Sequence, residues 1–439
     1  MTRSRVASGW RAATRAGLAP RLLAAVLTVA GCRTPDAPPT EPAAAPAPLP
    51  RAALALGLDA DELAAIIAHG PWPPPFRPDP TNRASGDPAA IELGRRLFDD
   101  PRPSFDGRRR CADCHRAELG FADGRARPPG ADGRPLDRNA QGLLDARLQH
   151  WFGWDGGADS LWAFVLRPLA DPREIGTDAG RLAAVLDADP TLACLRRAAF
   201  GDPRPSGEVL RVQVAKALAA FIETLDSPRT RFDALRDALA AGDADPGAEA
   251  VARAYPAQAL RGLRRFVGDA RCAACHVGPA FTHGEFHDAG RPYMASPGRP
   301  DPGRHGGIAA LRADPFNRLG PWSDAATPDA AMRTRHVVPS HRNFGEFRVP
   351  ELRALALTAP YGHDGTMGTL DDVITHYSEL DTERLHADGE ALLRPLRLDP
   401  AARAELRAFL STLSAPQPAA PAPASPAPAV AACLPRPGA

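Results

Sequence analysis

Two copies of Cys-x-x-Cys-His, Cys111-Ala-Asp-Cys114-His115 and Cys272-Ala-Ala-Cys275-His276, constrain this chain more than anything else in it. Positions i, i+3 and i+4 share one face of a helical turn, so each copy offers two thiols and an imidazole to a single partner. This is the attachment signature of a c-type haem: the thiols take the vinyl groups and the histidine takes the iron. Paired cysteines also build zinc ribbons, but such pairs stand closer together than positions 111 and 272, and both pairs here run directly into His. The reading is two covalent haems, one on Cys111, Cys114 and His115, the other on Cys272, Cys275 and His276.

The ends of the chain point to export. Arg3, Arg5, Arg11, Arg15 and Arg21 precede an apolar run, 22–30, too short for a permanent membrane span. It closes on Val29-Ala30-Gly31-Cys32, which resembles a bacterial lipobox; ordinary cleavage beside an incidental cysteine is the alternative. The expected location is the periplasm, with the membrane engaged only through a lipid on Cys32. Of the seven cysteines, Cys194 reads as a packed thiol on an apolar helical pattern and Cys433 lies in a low-complexity tail. A disulfide between those two stays open. Lys and Arg number 53 against 52 Asp and Glu, which gives no case for nucleic acid.

Helical periodicity dominates between the ends, over 89–98, 209–225, 257–266, 370–377 and 402–413. An apolar helix precedes each haem signature, LGRRLF before the first and LRGLRRF before the second. The expected fold is mainly α, two class I cytochrome c-like domains, each around one haem, with long loops. The expected division is a signal over 1–31, a Pro/Ala-rich tether and lead-in over 32–83, domains over 84–245 and 246–414, and a disordered tail over 415–439. The domain boundary is placed in the polar run 241–248.

Several long segments then resemble one family in order: LGRRLFDDPR (93–102), CADCHRAELGFADG (111–124), RNAQGLLDARLQHWFGWDGGADSL (138–161), LDSPRTRFD (225–233), GLRRFVGDARCAACHVGPAFTHGEFHDAG (262–290) and FRVPELRALALTAPYGHDG (347–365). The chain resembles the bacterial dihaem cytochrome c peroxidases and their MauG-like relatives from about residue 89 to 413. The resemblance implies that the N-terminal haem, with His115 as proximal ligand, is the reactive one. No His lies between His115 and His150, where many family peroxidases carry a plugging distal ligand, so an open iron is expected; His150 reads as structural. The family's distal Gln, Pro and Glu fall on Phe164, Pro168 and Glu174. Glu174 is expected to move protons between peroxide oxygens, and Phe164 departs from the pattern.

The C-terminal haem, on His276, is implied to be the electron-transfer centre. The residue fourteen places beyond His363 sorts the family, Met in peroxidases and Tyr in the MauG-like branch; here it is Tyr377. Met367 and then His376 are the alternative ligands. Trp154 matches the aromatic that relays electrons between haems. Asn139, with the carbonyls of Thr358 and Pro360, matches an inter-domain calcium site of hard oxygen donors, with His363 ordering structure nearby. His283, His287, His305, His336 and His341 form a loose group that solvated loops explain as well as a metal. The first functional expectation is reduction of hydrogen peroxide with electrons from a small c-type cytochrome or cupredoxin. The second is a MauG-like oxidase of a protein or small molecule through a high-valent state, favoured by Tyr377. A non-enzymatic dihaem electron carrier is the third. Homodimers are also among the family's implied properties.

Overall fold

Each signature in the computed structural model follows a helix that a later helix crosses. Helix Pro88–Asp99 packs on Gly207–Ile222, and Ala257–Val267 packs on Pro400–Ser411. Glycine sets both crossings. A methyl group on Gly94 would collide with the Ala217 carbonyl, and one on Gly262 with the Glu405 carbonyl, so only a residue without Cβ lets the backbones approach so closely. Two of these helices start the same way: Asp87 and Asp399 accept the amides of Ala90 and Ala402, each at 2.8 Å, and proline follows at the first helical position. The helix expected over 209–225 stops at Ile222, where the amides of Thr224 and Leu225 turn back on Phe221 and Ile222.

The structure describes residues 48–291, 294–296, 298–325, 327–383, 386–415 and 427–434. The expected signal, Cys32 and the tether up to residue 47 lie outside them, as do tail residues 416–426 and 435–439. Strands are few: Phe286–His287 pairs antiparallel with Phe347–Arg348, and Met294–Ser296 with Arg299–Pro300. No helix among the described residues is long and apolar enough to cross a membrane.

Two apolar clusters form. One gathers Leu93, Leu97, Phe98, Trp162, Leu186 and Leu218; the other Phe232, Leu263, Phe266, Phe281, Phe409 and Leu413. Each large side chain fully buried stabilises by about 1.5–3 kcal/mol relative to exposure. Cluster membership changes between Ile222 and Phe232, ahead of the polar run 241–248, because helix Arg231–Ala241 buries Phe232 and Leu239 in the second cluster. A buried ion pair fixes it there, Arg353 to Asp233 at 2.7 Å. In the lead-in, helices Arg51–Ala55 and Ala60–Ile67 place Ala53 and Ile66 in that same cluster.

The tail is ordered over 427–434. Helix Pro428–Ala431 docks against Pro88–Asp99 and Pro190–Phe200, burying Val430 and Cys433 in the first cluster. Cys433 is bonded to Cys194, with Cα atoms 5.5 Å apart. Cys194 is therefore half of a disulfide rather than a packed thiol.

Candidate active site

The two signatures form matching 3-10 turns, Cys111–Asp113 and Cys272–Ala274. In each, the His amide returns to the first Cys carbonyl, at 3.0 Å for His115 and 2.9 Å for His276. Each imidazole donates from Nδ1 to a carbonyl, His115 to Phe121 at 2.8 Å and His276 to Phe281 at 2.9 Å. Both acceptor residues have positive φ, 61° and 57°, a costly conformation for Phe that turns the carbonyl towards the ring. With the proton fixed on Nδ1, Nε2 presents its lone pair. Burial lowers the basicity of both histidines, to about 4 for His276, so both are neutral near pH 7. The four thiols are unpaired, and burial pushes Cys111 and Cys272 up to about 12.

The donor set therefore fits a haem at each turn: two free thiols, and one neutral imidazole oriented from behind. A second observation agrees. Arg348 is buried, its amide donates to the Trp154 carbonyl at 2.8 Å, its Nη1 pairs with Glu351 at 3.2 Å, and its Nε and Nη2 have no partner among the described residues. A buried guanidinium with open donors suits a carboxylate-bearing group such as a haem propionate.

Glu174 stands on the first side. The segment after helix Leu161–Ala170 folds back on it, with Ile175 N to Pro168 O at 3.0 Å and Glu174 N to Asp171 O at 2.9 Å. This places Pro168 and Glu174 on one turn. Burial, then the neighbouring Asp171 carboxylate, pushes Glu174 up to about 7, and its charge acts on Cys111 and Cys114. Phe164 is half-buried on the same helix and lies against Gly153. Asp123, which sequence reasoning missed, is a second buried carboxyl here, raised by burial and acting on His115 and Cys114.

Tyr377 stands on the second side, on helix Leu370–Ser378. Burial first, then Cys272 and Cys275, push its phenol up to about 12. The Met367 backbone bridges to Tyr361 and its methyl lies against Gly362. His376 Nε2 donates to the Ala289 carbonyl at 2.8 Å. His69 was also missed. It is buried, lies tilted against Phe281 with ring centroids 4.6 Å apart, and directs Nε2 at the His276 carbonyl (3.0 Å) and Nδ1 at that of Ala65 (2.8 Å). Nothing in its local sequence ties it to a residue so distant. His283 and His287 meet at 3.2 Å beside Cys275 of the second signature.

Asn139, Trp154, Thr358 and Pro360 come together on a cavity of about 100 Å³, which Glu351, Arg353 and Tyr361 also line. Trp154 Nε1 donates to the Asn139 carbonyl at 3.0 Å. The Asn139 amide nitrogen donates to the Arg125 and Ala126 carbonyls, which leaves its side-chain oxygen free as a hard donor. His363 stacks on Phe347 at 3.5 Å and its carbonyl accepts the Asn139 amide at 2.8 Å. His150 pairs with Glu285 at 2.9 Å.

A family model described as di-haem cytochrome c peroxidase matches residues 88–240. The chain is similar to the methylamine utilization protein MauG of Methylorubrum extorquens, 35% identical over 330 residues that span 75% of this chain and 79% of that protein. It is also similar to the cytochrome-c peroxidase IdrP2 of a Pseudomonas species, 30% identical over 340 residues, 75% of this chain and 82% of the relative. Among solved structures, a MauG-like protein associated with microbial copper homeostasis aligns with TM-score 0.56 at 26% identity, over 79% of this chain and 95% of that one. The diheme peroxidase BthA of Burkholderia thailandensis gives TM-score 0.58 at 22% identity over 78% and 88%, a likeness of fold alone.

Proposed function

Since the chain belongs to the di-haem cytochrome c peroxidase and MauG family, and so is an oxidoreductase with two c-type haems, we propose that it reduces hydrogen peroxide at the His115 haem with electrons relayed through the His276 haem. Each haem, when bound, supplies an iron that exchanges electrons and, where a coordination position is free, takes up peroxide. The protein's part is proton handling and access. Glu174, balanced near pH 7, accepts a proton from one peroxide oxygen and returns it to the other. Pro168 fixes the turn that presents it, and Phe164, where relatives have Gln, excludes water without adding a hydrogen bond. Trp154 carries electrons between the halves. A Ca²⁺ held by Asn139 and the carbonyls of Thr358 and Pro360 braces the segments that flank Trp154.

The observation that carries this reading is Glu174, a buried carboxyl felt at both first-signature thiols. Two cytochrome c-like domains, joined ahead of helix Arg231–Ala241, are supported by the two clusters. A periplasmic location with a lipid on Cys32 completes the proposal. The electron source is a small c-type cytochrome or cupredoxin. A second reading, oxidation of a protein or small molecule in the MauG manner, is favoured by Tyr377 beside Cys272 and Cys275.

Electron paramagnetic resonance of the diferric protein tests the open first site. One high-spin and one low-spin signal are expected, and two low-spin signals overturn it. Peroxide added without a donor then separates the readings. A long-lived spectral change favours the MauG-like oxidase, and reaction only after one haem is reduced favours the peroxidase. Inertness in both states leaves an electron carrier.

A further inference from the structure

Of the loosely grouped histidines, His283 pairs with His287, while His341 meets His386, a histidine outside that group, together with the Asp388 carboxylate. His341 opens the turn His341–Asn343, while His386 and Asp388 lie between helices Leu370–Ser378 and Pro400–Ser411. Asp388 Oδ1 is 2.7 Å from His341 Nδ1 and 2.8 Å from His386 Nδ1. The three candidate ligand atoms lie within 4.8 Å of one another.

The other nitrogen of His386 decides what this means. Its Nε2 is 3.1 Å from the Phe344 carbonyl, which only accepts, so Nε2 carries the proton. In the neutral ring Nδ1 then directs a lone pair at Asp388 Oδ1, itself a lone-pair donor, and His341 Nδ1 faces the same oxygen. The His386 contact therefore needs a positive charge, supplied either by a proton on Nδ1 or by a metal ion in its place, and the His341 ring reaches the same oxygen. An imidazole whose far N–H is held by a backbone carbonyl is also the usual support of a metal-bound histidine. His386 has a side chain only 12% exposed and is fixed, whereas His341 is 66% exposed and leaves an entry path from solvent. His305, stacked on Phe344 at 4.1 Å, buttresses the site without joining it.

We propose that His341, His386 and Asp388 bind one divalent first-row transition-metal ion of the zinc or copper type, with water completing its shell. Two imidazoles and a carboxylate suit these ions better than Ca²⁺ or Mg²⁺. The ion ties residues 341–344 to the segment 386–390. That segment also sets Glu390 against His287 Nδ1 at 2.7 Å, beside Cys275. The site thus braces a loop that leans on the second haem signature.

The test is calorimetric titration of ZnCl₂ into the chelator-treated, untagged holoprotein, with haem absorbance and circular dichroism confirming that each variant is folded. One high-affinity equivalent is expected for the wild type, weakened at least tenfold in His341→Ala, His386→Ala and Asp388→Asn. His305→Ala and His287→Ala should leave it unchanged. Millimolar or absent binding by the wild type, titrations unaltered by the three ligand variants, or loss in His287→Ala overturns the proposal.

Discussion

Around His115 the buried and half-buried ionisable groups are carboxyls, Glu174 and Asp123; around His276 they are a phenol and imidazoles, Tyr377, His69, His283 and His287. The two turns, the positive-φ Phe behind each histidine and the glycine at each helix crossing are otherwise alike. Chemistry therefore divides at the lining rather than at the attachment. A carboxyl raised to about 7 exchanges protons freely at neutral pH, while a phenol raised to about 12 keeps its proton unless a metal ion withdraws it. One lining suits bond-breaking in peroxide, the other a fixed axial partner for electron transfer.

The sharpest way to break this contrast is to exchange one group on each side. Glu174→Gln should slow reaction with peroxide by about 10²–10⁴-fold while both spin signals persist. Tyr377→Phe should do the reverse, altering the low-spin signal with only a few-fold change in the first peroxide step. If Glu174→Gln reacts normally, the carboxyl lining carries no catalytic meaning. The pH profile refines the same point. Burial raises Glu174 from 4.5 to about 7, and the proton-accepting form is the carboxylate, so the wild-type rate should climb through about pH 7 and level off above it. In Glu174→Gln that inflection should vanish.

Stability offers a smaller asymmetry. Only the first cluster carries a disulfide, so Cys433→Ser should lower stability by about 2–4 kcal/mol in denaturant melts monitored at Trp162, under conditions where the second cluster melts as in the wild type. Gly94→Ala and Gly262→Ala probe what the halves share. Each should cost about 1–3 kcal/mol by thermal unfolding, and a loss confined to one would show that the crossings are not equivalent.

The signatures were legible in the sequence because covalent attachment demands a fixed local spacing, and the helix before each was legible from apolar periodicity. Glu174, Tyr377 and Asn139 were found only through resemblance to a family, since a lone carboxylate, phenol or amide has no spacing rule of its own. His69, Arg348 and Asp123 escaped even that. His69 meets His276 across 207 residues, and Arg348 shows its significance only as a buried cation with open donors. The partner of Cys194 was equally hidden, because cysteine pairing cannot be deduced from spacing alone. The polar run 241–248 reads as a linker, while Phe232 and Leu239 do not announce which cluster they enter.

The bond between Cys194 and Cys433 spans 239 residues, so it cannot form until Cys433 has followed both haem signatures. An oxidant able to form it reaches Cys111 with Cys114 and Cys272 with Cys275 sooner, and those pairs are near neighbours. Thioether formation consumes reduced sulfur, so premature oxidation of either pair would block its haem until exchange reopened it. Haem attachment and the structural bridge thus compete for the same element, and the order of residues favours haem attachment by placing Cys433 after both signatures.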